Sequence, residues 1–337
     1  MKVLYAGSPR VSRKLLARLY EMQNDNHFEI VGVLTNPPAS RGRHKTLQET
    51  DVAEFANEKK IRTFAFEHLN ANARAEIEKL HADVLVCFAY GHIFGPKFLA
   101  LFKFGGVNVH PSLLPKYRGP TPVNAAILNM DGETAITIQR LSLGMDEGDI
   151  LAQEKILLNG SETATLLLEK TAERGSEMLA KILYACDLEK KLPSGKAQTG
   201  NASYTKIISK ADCKIDWNES AKKIDARIRA FSDEPGAWTS DAHGVLKILK
   251  ARILNENDFV SGNRSAKKID EREMSAHEIA NEKKVGEVLC FQKKRGILVQ
   301  TGNGVLCIRE LQREGKKAMD AASFVNGARD FVGSVLG

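Results

Sequence analysis

Residues 83–111 read DVLVCFAYGHIFGPKFLALFKFGGVNVHP, and this stretch contains two short apolar runs on either side of a helical pattern. The runs DVLVCFAY and GVNVHP have the length and composition of buried strands, and PKFLALF between them is helical in pattern. Neighbouring parallel strands need such a crossover, because a tight turn joins only antiparallel strands. We therefore expect two parallel strands of one buried sheet here.

The same alternation runs through the first part of the chain. The β-type runs KVLYA, EIVGVLT and RTFAF are each followed by an amphipathic helical pattern. Strands that are apolar throughout are typical of a parallel sheet with both faces covered. We predict an N-terminal, Rossmann-like catalytic domain over residues 1–188, an α/β fold with a doubly wound, mostly parallel sheet.

The remainder of the chain has a different pattern. Residues 189–206 are polar and contain Gly, Pro, Ser and Lys, which predicts a linker. The sequence DWNESAKKIDARIRAF then predicts an amphipathic helix capped by Asn218 or Ser220. Short strand-like runs follow, so we predict a small C-terminal β-barrel (OB-like) domain over residues 207–337. Residues 255–284, which are highly charged and poorly patterned, are expected to form an exposed excursion between two strands.

Composition restricts the class of protein. A hydrophobic fraction of 43% and a charged fraction of 27% in 337 residues are ordinary for a globular protein of two domains. The start of the chain does not resemble a signal peptide, and no apolar run approaches the roughly 20 residues that span a bilayer. We expect a cytoplasmic protein without membrane association. The five cysteines include no C-x-x-C pair, which favours free thiols over disulfides or a zinc site.

The net charge of +7 is concentrated in the last two-fifths of the chain, where residues 206–337 contain 24 Lys+Arg against 19 Asp+Glu. A basic surplus is compatible with a polyanionic partner such as nucleic acid. Many soluble domains carry as much charge and bind no nucleic acid, so charge alone does not decide this.

Several common enzyme motifs are missing. After the first strand, YAGSPR retains only Gly7 of a dinucleotide-binding glycine pattern, and the second strand ends in TNPP without an acidic residue. The patterns of P-loop enzymes, serine hydrolases and zinc proteases do not occur. Hydride transfer, P-loop chemistry and serine hydrolysis therefore lose support.

Three polar residues are candidates for catalysis. Asn108 and His110 share one face of the strand VNVH, since residues two apart in a strand point the same way. Asp146 lies in the glycine-rich loop LGMDEGD. Such a set suits acyl-type transfer: the amide stabilises an oxyanion, the imidazole handles a proton and the carboxylate orients the imidazole. On spacing alone, a histidine after a strand is more often structural.

The stretch NVHPSLLPKYRGPTPVNAAILNMDGETAITIQRLSLGMDEGDIL resembles the formyltransferases that use 10-formyltetrahydrofolate. The shared pattern is Asn-x-His, then Ser-Leu-Leu-Pro, then an Asp in a glycine-rich loop. The resemblance implies that Asn108, His110 and Asp146 are catalytic. We expect no metal, because the signature offers one His and one Asp and no third ligand at a convincing spacing. It also implies contacts to the folate cosubstrate from Phe88, Ala89, Tyr90, Gly91, Ser112, Leu113, Leu114, Pro115 and Gly144.

The resemblance covers nearly the whole chain, and it implies formyl transfer to the α-amine of methionyl initiator tRNA. We expect the enzyme to be a monomer. The implied tRNA contacts are Arg41, Gly42, Arg43 and Lys45 in one basic loop, and Lys316 and Lys317 near the C terminus. The alternatives are a formyltransferase for a small amine, such as a sugar nucleotide or glycinamide ribonucleotide, and a formyltetrahydrofolate hydrolase. A non-catalytic RNA-binding protein is the alternative outside enzymes.

Two segments depart from the family pattern, and both lie in the predicted C-terminal domain. Residues 232–238 read SDEPGAW, where the family often has an Asn-Pro-x-Pro turn. The charged segment 255–284 has no expected counterpart. Both departures bear on details of tRNA contact and not on the chemistry.

Overall fold

The computed structural model describes residues 1–41, 46–232, 234–254, 284–328 and 330–337. These residues form two compact units. The first unit contains residues 1–126, 131–159 and 166–207, and the second contains residues 127–130, 160–165 and 208–337. The domain limits at 188 and 207, which rest on composition, stay a prediction.

The strands described before residue 190 are each three to eight residues long. They are β1 Lys2–Ala6, β2 Glu29–Thr35, β3 Ala39–Arg41, β4 Thr46–Gln48, β5 Thr63–Ala65, β6 Val84–Cys87, β7 Gly106–His110, β8 Glu133–Arg140 and β9 Ile150–Leu157. The helices are α1 Arg10–Met22, α2 Asp51–Glu58, α3 Ala71–Glu78, α4 Pro96–Leu99, α5 Pro122–Leu128 and α6 Ala164–Glu189.

The seven-stranded sheet of the first unit has the order β5-β2-β1-β6-β7-β8-β9. The strands from β5 to β7 pair in parallel, and β8 and β9 pair antiparallel at one end. The chain leaves β1 in one direction toward β2 and β5, and it returns to β6 on the other side of β1. This reversal creates a crevice beyond the carboxyl ends of the strands, where open α/β sheets bind ligands.

The two faces of β7 have different surroundings. Val107 and Val109 are buried on one face. Helix α6 approaches that face closely at Gly175, where a Cβ would lie 3.0 Å from Val109 Cγ1. Asn108 and His110 point to the opposite face, because successive side chains alternate across a strand. The apolar residues of β7 thus anchor the strand while its polar residues are presented together.

The second unit is built on an antiparallel sheet with the order β10-β11-β14-β13-β12, and β15 pairs with β14. The strands are β10 Trp238–Asp241, β11 Gly244–Ile253, β12 Val288–Gln292, β13 Gly296–Gln300, β14 Val305–Arg313 and β15 Met319–Asp320, with helices α7 Ala221–Ala230 and α8 Ala321–Gly327. Ser220 caps α7 by accepting from Lys223 N, as its sequence predicted. The parallel-dominated α/β sheet and the antiparallel half-barrel sheet confirm the predicted fold class.

The first unit also contains a small antiparallel ribbon, in which Arg41 of β3 lies opposite Thr46 of β4. The sequence predicted a loop in this region and not the ribbon. Gly42, Arg43 and Lys45 lie outside the described residues, as do 255–283 of the charged segment. Within the described ranges we find no helix with the length and apolarity needed to cross a membrane. All five cysteines are free thiols.

Candidate active site

Two neighbouring strands present four polar side chains on one face of the sheet. Asn108 of β7 lies directly opposite Gln139 of β8, and His110 lies opposite Thr137. His110, Thr137 and Gln139 are buried. Directly opposed residues of antiparallel strands have their side chains on the same face. The site is therefore assembled on a rigid part of the sheet.

Asp146 lies over this face, in the loop of residues 141–149 between β8 and β9, which we call the Asp146 loop. Its Oδ1 accepts from Gln139 Nε2 at 2.7 Å and from Asn108 Nδ2 at 3.3 Å. Its Oδ2 accepts from the backbone N–H of Gly119 at 2.8 Å. These three donors fix the position of the carboxylate. The structure thus brings together Asn108, His110 and Asp146, the three residues expected to be catalytic.

The imidazole of His110 lies between two oxygen atoms. Nε2 lies 2.9 Å from the backbone carbonyl oxygen of Tyr117, which can only accept, so the proton of the neutral ring is assigned to Nε2. Nδ1 lies 3.6 Å from Asp146 Oδ2, beyond hydrogen-bonding distance. Nδ1 can therefore receive a proton beside a carboxylate that would stabilise the resulting imidazolium.

Both partners of His110 have a backbone conformation that residues other than glycine rarely adopt. Tyr117 has φ 59° and Asp146 has φ 54°, in the left-handed region. Such strained residues cluster at functional sites, where the surrounding structure holds them in place. Gly148 lets the Asp146 loop pack closely, because a Cβ there would lie 1.9 Å from the carbonyl oxygen of Arg140.

The segment that the sequence predicted as a linker contributes directly to this site. Gln198 Nε2 donates to the backbone carbonyls of Asp146 and Gly148 at 2.8 and 2.9 Å. Its Oε1 accepts from Nε and Nη2 of Arg118 at 3.1 and 2.9 Å. Tyr204 is bound to Arg118 and Glu147 through its hydroxyl. Residues 196–206 thus hold the Asp146 loop from outside.

The residues assigned to the folate side occupy three loops of the first unit. Ser112 follows β7 and is fully buried, and its hydroxyl donates to Lys116 O at 2.7 Å while its carbonyl accepts from Thr137 Oγ1 at 2.7 Å. These bonds fix the turn that contains Leu113, Leu114 and Pro115. The residues from Phe88 to Gly91 follow β6, and Gly144 lies in the Asp146 loop.

Two buried polar atoms near the end of β6 have no hydrogen-bond partner among the described residues. They are the hydroxyl of Tyr90 and Oδ1 of Asn36, and the Asn36 amide donates to Tyr90 O at 3.3 Å. Burial raises the pKa of the Tyr90 hydroxyl to about 12, so it stays a neutral donor at ordinary pH. A buried polar group without a partner is costly, which is consistent with a ligand or water supplying one.

The residues assigned to tRNA lie elsewhere in the chain. Lys316 and Lys317 are exposed in the turn between β14 and β15 of the second unit. Arg41 is the last residue of β3, and the other members of its basic loop fall outside the described residues.

Sequence reasoning missed Gln139, Gln198 and Arg118. Gln139 could have been found, because Thr137 and Gln139 alternate with isoleucines in ITIQR just as Asn108 and His110 alternate with valines. Gln198 gave no such signal, since it lies in a polar segment without periodicity.

Comparisons with known proteins cover both units. The family model described as formyl transferase matches residues 1–183, and the model of the formyl transferase C-terminal domain matches residues 207–329. The methionyl-tRNA formyltransferase of Treponema denticola is 39% identical, with 98% of each chain covered. That of Dictyoglomus turgidum is 36% identical, with 99% of this chain and 98% of the relative covered.

Solved structures of low sequence identity share the fold. HypX from Aquifex aeolicus, in complex with tetrahydrofolic acid, has a TM-score of 0.62 at 14% identity, covering 98% of this chain and 48% of HypX. An N-formyltransferase from Helicobacter canadensis, in complex with folinic acid and dTDP-3-aminofucose, has a TM-score of 0.58 at 18% identity, covering 91% of this chain and 98% of that one.

Proposed function

The chain belongs to the formyl transferase family, and from that premise we propose that it transfers a formyl group to the α-amino group of methionyl initiator tRNA. The proposed donor is 10-formyltetrahydrofolate. Relatives that are methionyl-tRNA formyltransferases match over nearly the full length of both chains, which supports this acceptor.

A single observation carries the chemical part of the proposal. Asp146 hydrogen bonds to Asn108 and lies 3.6 Å from the imidazole of His110. An amide donor, an imidazole and a carboxylate then meet on one face of the sheet. This set can stabilise negative charge and move a proton, which are the two requirements of acyl-type transfer to an amine.

Each residue has a distinct role in this proposal. The amide of Asn108 has two N–H hydrogens, and its bond to Asp146 uses one, so the other can stabilise charge on the formyl oxygen. His110 Nδ1 accepts the proton that the attacking amine must lose. Asp146 stabilises the imidazolium, while the carbonyl of Tyr117 orients the ring through Nε2.

The crevice edge also fits a folate. The donor supplies an activated formyl group, and the residues of this chain would bind and orient it. The Tyr90 hydroxyl and Asn36 Oδ1, buried and without partners among the described residues, can pair with polar ring atoms. Ile93, which follows β6, and Leu143, in the Asp146 loop, are exposed and can contact the apolar parts of the folate. The residues present therefore fit the group.

Charge supports an RNA acceptor. In the second unit, Lys210 Nζ and Lys214 Nζ lie 5.9 and 5.7 Å from the centre of the Trp238 ring. Basic side chains around an aromatic ring suit phosphate contact and base stacking. Lys316 and Lys317 add two exposed cations to the same unit. We propose these residues and the basic loop 41–45 as tRNA contacts of a monomeric enzyme.

The experiment that tests this function measures formyl transfer from 10-formyltetrahydrofolate to purified methionyl initiator tRNA. Methionyl elongator tRNA and a reaction without RNA are run beside it. We expect rapid transfer that is selective for the initiator. Equal consumption of the donor without RNA would instead indicate a hydrolase or a small acceptor, and it would overturn the proposed acceptor.

A further inference from the structure

The side chain of Gln198 connects three parts of the site that are distant in sequence. It binds the guanidinium of Arg118 through its oxygen and the carbonyls of Asp146 and Gly148 through its nitrogen. All four of these distances lie between 2.8 and 3.1 Å. A side chain that only filled space would not require both a donor and an acceptor in this arrangement.

The orientation of this amide is determined by its partners. A guanidinium can only donate and a backbone carbonyl can only accept. Oε1 of Gln198 must therefore face Arg118, and Nε2 must face the Asp146 loop. Arg118 is itself bound to Glu147 at 3.1 Å and to the Tyr204 hydroxyl at 2.8 Å, which limits its movement.

The same orientation extends to Gln139. Nε2 of Gln198 also lies 3.4 Å from Oε1 of Gln139, a long contact of favourable polarity. Because Oε1 of Gln139 faces Gln198, Nε2 of Gln139 faces Asp146 and donates to Oδ1 at 2.7 Å. Gln139 is 1% exposed, so water cannot readily replace this donor. A flipped Gln139 amide would place an oxygen against the carboxylate, which is repulsive.

We propose that Gln198 is a positioning residue of the transfer reaction, and this inference rests on the proposed function. Gln198 fixes the backbone of the Asp146 loop through the carbonyls of Asp146 and Gly148. It also orients the amide of Gln139 so that this amide donates to the carboxylate of Asp146. Arg118 keeps Gln198 in this orientation by donating to its Oε1. The segment after α6 thereby completes the active site.

The test compares Gln198→Glu and Gln198→Ala in steady-state formyl transfer from 10-formyltetrahydrofolate to methionyl initiator tRNA. Glutamate keeps the size of the side chain and the acceptor for Arg118, but it cannot donate to the Asp146 loop. We expect kcat to fall roughly 10- to 100-fold in both variants, with KM for tRNA changed less than about threefold. Gln198→Glu should be at least as impaired as Gln198→Ala.

Gln23→Glu is the matched control. Gln23 accepts from Ile30 N through Oε1 at 3.1 Å, at the amino edge of the sheet, so this bond survives the substitution. The inference is overturned if Gln198→Glu matches the wild type, or if its loss of activity only follows a lower melting temperature and KM for tRNA rises as much as kcat falls. If the wild-type enzyme itself fails to formylate, the proposed function fails instead, and the two failures are distinguished.

Discussion

Oδ2 of Asp146 lies 3.6 Å from Nδ1 of His110, while the other ring nitrogen faces the carbonyl of Tyr117. This relationship leaves Nδ1 beside a negative charge but without a formed hydrogen bond. The same nitrogen can then meet a reacting amine and keep the carboxylate at its side. The catalytic account depends on this charge.

The first prediction concerns Asp146→Asn, which keeps the shape of the side chain and removes its charge. An amide cannot stabilise the imidazolium and would meet the N–H of Gly119 with either an oxygen or a repelling NH₂ group. We expect kcat to fall roughly 10²- to 10⁴-fold. Asp149→Asn is the control, since Asp149 is exposed in the same loop and loses the same charge. Equal losses in the two variants would argue against a specific role.

The second prediction concerns the packing of the same loop. A Cβ at Gly148 would lie 1.9 Å from the backbone oxygen of Arg140, which cannot move without disturbing the end of β8. Gly148→Ala should cost about 1–3 kcal/mol of stability and also reduce activity, measured by urea unfolding and formyl transfer.

Gly132→Ala provides the comparison for this prediction. A Cβ at Gly132 meets no heavy atom within 4 Å in the described structure. This variant should be as stable as the wild type or slightly more stable, because alanine restricts the unfolded chain. If both variants behave alike, the close approach at Gly148 does not constrain the loop.

The third prediction concerns alkaline pH. Burial raises the pKa of the Cys87 thiol from 9.0 to about 12, and the charge of Asp146 acts in the same direction. Between pH 9 and about pH 12, the Cys87 thiol has lost its proton in the unfolded chain but retains it in the folded chain. The folded state then binds more protons, so the free energy of unfolding falls as pH rises from about 9 toward 12.

Cys87→Ser removes this titration with little change in size. The slope of unfolding free energy against pH should become shallower by about 1.4 kcal/mol per pH unit above pH 9. Urea unfolding at several values between pH 8 and pH 10.5 measures both slopes. Parallel slopes for the variant and the wild type would show that Cys87 does not titrate in this manner.

The fourth prediction concerns the proposed tRNA contacts in the basic loop. Replacing Arg41, Arg43 and Lys45 with glutamine should weaken tRNA binding and lower the slope of log affinity against log salt by about 2. Lys190 and Lys191, exposed beyond the end of α6, are the control positions for loss of positive charge. A loss of folate binding with unchanged tRNA affinity would contradict the placement of this loop.

The sequence predicted those features that local periodicity encodes. Alternating apolar runs and helical patterns indicated the parallel sheet, and the period of two in VNVH indicated that Asn108 and His110 share a face. Both follow from geometry within one element. Asp146 was found because of its glycine-rich loop and the family resemblance.

The contacts of Gln198 were missed because they join segments that are distant in sequence. Gln198 binds the carbonyl of Asp146 across 52 positions of sequence, and no periodic pattern marks the segment that contains it. The ribbon of β3 and β4 was missed because its side chains are mostly polar and do not alternate. The position of Gln198 is set by tertiary hydrogen bonds rather than by propensity.

The most direct test of the central claim is single-turnover formyl transfer to methionyl initiator tRNA by His110→Ala, with tRNA affinity measured on the same preparation. His68→Ala, at an exposed histidine, is the control. Our account predicts a loss of roughly 10²-fold or more in the transfer rate, with tRNA affinity unchanged. Retained transfer, or a joint loss of transfer and tRNA binding, would contradict it.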